Sequence, residues 1–164
     1  MADSEPRCNC VPASGPLSAE LMAGWREAMA MGRAQLERGA RNAALFHFQR
    51  ALAQAESLFG RWHNHDDATA ALVVSHHGVA DVLSRAGQLD DAARRLCHIH
   101  LLLQQVAGDG GLQPGLCAAA ARHSRQTWAE LAHFDSQHPG DARIRACLAA
   151  KPVESPNRST TTLH

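Results

Sequence analysis

Apolar residues recur every three or four positions along most of this chain, the spacing of helices that bury one face. Leu21, Met22, Trp25, Met29, Met31 and Leu36 make the first stripe, with Ser18 as its candidate N-cap and Gly39 as its stop. Leu45, Phe48, Leu52, Ala55 and Phe59 predict a second helix over 42–59, closed by Gly60. Residues 61–65 read as a linker. Asp66 or Asp67 then caps a third helix that carries Leu72, Val73, Val79, Val82 and Leu83 towards Gly87. Asp90 caps a fourth, which runs through Ala93, Leu96, Ile99 and Leu101 to Val106 before the break at 108–111. Pro114 suits the first turn of a fifth helix over 113–138, and Pro139-Gly140 ends it ahead of a short sixth helix over 141–150. The expected architecture is therefore all-α, with about five main helices and a short C-terminal one. Residues 17–150 form its domain, and the patternless stretches 1–16 and 151–164 are expected to be disordered tails.

Composition sharpens this picture. Hydrophobic residues make up 45% of the 164, yet aromatics only 4%, and tyrosine is absent. Alanine supplies much of the rest, so helices are expected to pack closely through small side chains. Lys and Arg total 16, as do Asp and Glu, which leaves no basic field to hold nucleic acid by counterion release. Short basic runs at Arg94-Arg95 and 122–125 read as solvated helix faces. No stretch is apolar enough to span a membrane, and the first residues lack the apolar core of a secretory signal. Five scattered cysteines fit reduced thiols, and together these features point to the cytoplasm.

An internal duplication changes the reading further. Gly32 to Leu52 lies over Ala80 to His100 without a gap, so that Gly32, Gly39, Ala44, Phe48 and Ala51 stand opposite Ala80, Gly87, Ala92, Leu96 and Ile99. Each copy reads as a helical hairpin turning at its glycine. This pattern resembles the tetratricopeptide repeat (TPR), over roughly residues 24–138. The first copy departs from the repeat at Gln35, where an aromatic is usual, and neither copy has the closing proline. The two turn glycines are also 48 residues apart, so either the helices are longer than in the standard repeat or the linker is an insertion. The Val73 to Asp81 stretch is in addition similar to small bacterial repeat proteins. The resemblance implies a right-handed stack of antiparallel helical hairpins whose first helices line a concave groove. Carried over, the lining positions are Arg26, Met29, Arg33, Leu36 and Glu37 in one copy and Val74, His77, Asp81, Ser84 and Arg85 in the other. The spacing independently puts Arg26, Met29 and Arg33 on one stripe, and His77, Asp81, Ser84 and Arg85 on another.

These features point to a non-enzymatic adaptor or chaperone-like scaffold that holds a partner segment, with no cofactor. Neither a nucleophile elbow, a phosphate-cradling glycine loop nor a zinc-protease helix is present. An uncapped stack also leaves end faces through which two copies could pair as a homodimer. The alternative is a Zn or Cu sensor or buffer, because the chain is rich in histidine and pairing of the second hairpin would bring His76 or His77 towards Cys97 and His100. Cys8 and Cys10 could assist from the tail. The ordinary reading of the same residues is a set of buried or surface histidines, since adjacent helix residues diverge by about 100°.

Overall fold

Every described residue of the computed structural model, 15–150, belongs to a helix or to a connection between helices, and none forms a strand. The helices are α1 (Pro16–Glu37), α2 (Arg41–Leu58), α3 (His65–Arg85), α4 (Leu89–Gly108), α5 (Pro114–Gln137) and α6 (Ala142–Ala149). The expected tails, apart from Gly15 and Pro16, lie outside the described residues.

Backbone chemistry explains where each helix starts. Pro16 and Pro114 occupy the first turns of α1 and α5, where a missing N–H costs no helical bond. Ser18 therefore sits inside α1, and Gly15 is its N-cap. Asn64, rather than Asp66 or Asp67, caps α3, its side chain accepting from the N–H groups of both aspartates at 3.1 and 3.2 Å. Those aspartates instead place negative charge in the first turn, where the helix dipole favours it. Asp90 does the same in α4, whose N-cap is Gln88 with no side-chain cap bond.

The duplication survives as geometry at the two turns. Gly39 and Gly87 have φ of 76° and 77°, a conformation that glycine adopts without a Cβ penalty. Each closes the same pair of bonds. Gly39 and Ala40 donate to Leu36 and Gln35, while Gly87 and Gln88 donate to Ser84 and Leu83, at 2.9 to 3.0 Å. Three residues thus reverse the chain between α1 and α2, and three between α3 and α4.

α3 packs against α1, α2, α4 and α5, and α5 packs on α4 and α6. α1, α3 and α5 touch in series, whereas α2 and α4 do not meet among the described residues. α6 covers α4 and α5. Phe48 of α2, 2% exposed, fills the junction of the first three helices. A Cβ added at Gly32 of α1 would lie 2.6 Å from its ring, and one added at Gly78 of α3 would lie 2.8 Å from it. Both glycines are therefore spaces that the ring occupies.

Phe48→Ala should lower the free energy of unfolding by about 3–5 kcal/mol in chemical denaturation. Gly78→Val should lower it by about 1–3 kcal/mol through overpacking. The double variant should lose less than the sum, because removing the ring removes the obstacle. Strictly additive losses would show that ring and glycine do not meet.

Candidate functional site

Opposite stripes of α3 carry different chemistry. One stripe holds His77, Asp81, Ser84 and Arg85, and these four line a hollow of about 370 Å³ together with Glu130, His133 and Gln137 of α5. Leu96 and Phe134 contribute its apolar surface. Within the hollow Arg85 Nε donates to Asp81 Oδ1 at 2.8 Å, which fixes the pair one helical turn apart. His77 is half-buried, and its Nε2 is buried without a partner. Burial pushes this imidazole below its ordinary range, against an upward pull from the Glu130 carboxylate. Glu130 itself forms no ion pair with an arginine among the described residues.

The groove residues expected on α1 and at the start of α3 do not join this hollow. Met29 is 3% exposed and lies 3.8 Å from the Ser75 hydroxyl, inside the core. Ser75 also accepts from Trp25 Nε1 at 2.9 Å and donates to the Ala71 carbonyl at 2.7 Å, locking α1 to α3. Leu36 and Val74 pack on the same core. Arg26 and Arg33 remain exposed on α1, away from the lining residues. Glu130, His133 and Gln137 were the residues that sequence reasoning missed. Their i, i+3, i+7 spacing is legible in the chain, but no repeat match pointed to α5 as a groove wall.

The proposed metal ligands also separate. His76 is 1% exposed, and its ring stands 5.5 Å from that of His98 on α4. His77 turns to α5, as the divergence of neighbouring helical residues requires. Cys97 lies against Cys147 of α6, and burial, with the second thiol adding to it, pushes its own thiol up to about 12. It therefore stays protonated at neutral pH. His100 is fully buried, with Nδ1 2.9 Å from Thr127 Oγ1 and Nε2 3.3 Å from the Ala150 carbonyl. It ties α4 to α5 and to the end of α6, which Trp128 also holds through the Leu148 carbonyl at 3.1 Å. Among the described residues no group of three or more His, Cys, Asp or Glu is placed to hold an ion. Cys8 and Cys10 lie outside the described residues.

The basic run on α5 has a structural partner too. Arg122 and His123 both reach Asp66 Oδ1, at 2.8 and 3.2 Å, and join α5 to the first turn of α3. The Arg122 guanidinium is the main cause holding the Asp66 carboxyl below its usual range, with His123 contributing. No helix among the described residues is long and apolar enough to cross a membrane.

Burial pushes His76 down to about 3, with the charges of Arg95, His98 and His77 adding to it. The unfolded chain then binds a proton near 6.5 that the folded chain refuses. His76 therefore leaves stability intact above that value and reduces it as pH falls from 6.5 towards 3, with a slope approaching about 1.4 kcal/mol per pH unit. His77 and His100, also held low chiefly by burial, act in the same direction. Urea unfolding across this range should show a shallower pH slope for His76→Gln than for the parent chain. An identical slope would contradict the burial of a neutral imidazole.

No curated protein and no solved structure matches the chain. The model of one family, described as "Protein of unknown function (DUF2753)", matches residues 23–158, well over half of the sequence, and the chain belongs to that family.

Proposed function

We propose that this protein is a non-enzymatic interaction scaffold of the cytoplasm, built as a tetratricopeptide-like stack, that holds an extended segment of a partner protein along α3 and α5. The observation that carries the reading is the hollow in which four of the expected groove residues meet a second wall from α5. The serial contact of α1, α3 and α5, with α2 and α4 apart, supports the stacked arrangement, as do the matching turns at Gly39 and Gly87. In this reading apolar contact is confined to the edges that Leu96 and Phe134 leave at the hollow, since both belong to a core cluster, as Met29 does.

The hollow also suggests what the segment carries. Asp81 is occupied by Arg85, whereas Glu130 has no arginine partner and the adjacent His77 Nε2 has none at all. A lysine or arginine of the partner would supply donors to Glu130 and relieve the desolvation of that wall. An apolar side chain next to it would meet the small edge of Phe134 that the core leaves exposed. Small clusters of this kind, rather than the whole contact area, dominate most interfaces.

Benzoylphenylalanine placed at Ser84 or His133 should crosslink, on irradiation in the host cell, to a discrete partner that mass spectrometry then identifies. The same group at Leu101, exposed on α4, should not. Glu130→Gln combined with His77→Ala should reduce the Ser84 adduct by about tenfold, as loss of a charge-assisted bond implies, while Arg26→Ala leaves it unchanged. Adducts at Leu101 alone, or none at Ser84 and His133, would overturn the assignment of this groove.

A further inference from the structure

The other stripe of α3 borders a larger hollow, about 530 Å³, that opens between α2, α3 and α4. Its floor is apolar, formed by Leu45, Val79 and Leu83, and its rim carries Gln49, Arg95 and His98. Arg94 and Asp91 also line it, but Arg94 is committed to Asp90 and Asp91 at the start of α4. That pairing leaves Arg95 apart. It is half-buried, and it forms neither a hydrogen bond nor an ion pair among the described residues. A partly desolvated guanidinium without a counter-charge is costly, and its fork matches a carboxylate bidentately. On α3, His76 Nδ1 is likewise buried without a partner.

We propose that this hollow binds a small aliphatic carboxylic acid, the carboxylate held by Arg95 with Gln49 and His98 and the hydrocarbon laid on Leu45, Val79 and Leu83. The cavity size falls within the range of small-molecule sites, and the combination of apolar floor and one unpaired cation selects an anion with an apolar body. A fully charged ligand such as inorganic phosphate would leave the floor uncovered. An alkyl ammonium would meet Arg95 with like charge. The site is independent of the groove between α3 and α5, because its residues lie on the opposite stripe of α3 and on helices that the groove does not use for charge.

The test is a titration of the isotopically labelled full chain, followed by NMR, with hexanoate, acetate, hexylammonium and inorganic phosphate in turn. Hexanoate should produce saturable shifts at Val79, Leu83, Arg95 and His98, and leave Ser84 and His133 unmoved. Acetate and phosphate should bind at least about tenfold more weakly, since they forgo apolar contact, and hexylammonium should not bind there. Arg95→Gln, folded by its thermal melt, should weaken hexanoate by about tenfold or more. The ligand comparison on the parent chain decides the question even if that variant unfolds. Equal response to acetate and hexanoate, equal response to hexylammonium, or hexanoate binding unaffected in folded Arg95→Gln would each overturn the proposal. So would a peptide with a C-terminal leucine carboxylate that binds here when hexanoate does not.

Discussion

Phe48 reaches the space between α1 and α3 only because neither helix has a side chain there. Gly32 and Gly78 each present bare backbone to the ring, and a methyl group at either would come within 2.8 Å of it. Glycine inside a helix costs about 1 kcal/mol relative to alanine, so the two together weaken α1 and α3 by about 2 kcal/mol. Burying and packing a phenylalanine ring outweighs that, since truncating one in a core typically costs about 3–5 kcal/mol. The balance favours three helices meeting at one aromatic, and the mutual placement of α1, α2 and α3 follows from it.

Once that junction is set, α3 becomes the central element. It touches four of the other five helices, and its residues are shared between the core and the edges of two hollows. Val73 and Val79 face inward, and His77 to Arg85 meet α5 on one side. Val79 and Leu83 also border the space beside α4 on the other. Three polar anchors then join α3 to α1 and α5, and α4 to α5 and the end of α6. Trp25 donates to Ser75, Arg122 to Asp66, and His100 links Thr127 with the end of α6. Two of these are largely shielded from water, where a satisfied hydrogen bond helps to specify one arrangement over others.

Much of this was legible in the residues. The stop at Gly39 and Gly87 could be read directly, because only glycine easily takes the conformation those turns need. Pro114 marked the start of α5 for an equally local reason. Asn64 was hidden by the two aspartates that follow it, since all three residue types cap helices. His77, Asp81, Ser84 and Arg85 were predicted to share a face, and they do. Their facing wall on α5 was not readable, because periodicity states which residues of one helix align and not which helix lies opposite. Met29 and Val74 illustrate the same limit. Each belongs to a stripe that spacing identifies, but the contact of α1 with Ser75 on α3 decides that these residues turn inward. His76 and His77 part as the sequence reading of adjacent helical residues anticipates, one towards His98 and the other towards Glu130, whereas their placement relative to Cys97 and His100 depends on how α3, α4 and α5 pack and is not readable from spacing.

The central claim, that one aromatic ring sets the arrangement of the first three helices, can be read directly by NMR. Nuclear Overhauser cross-peaks from the Phe48 ring protons to the Hα protons of both Gly32 and Gly78 are the predicted result. Cross-peaks to only one of the two glycines, or to neither, would contradict it.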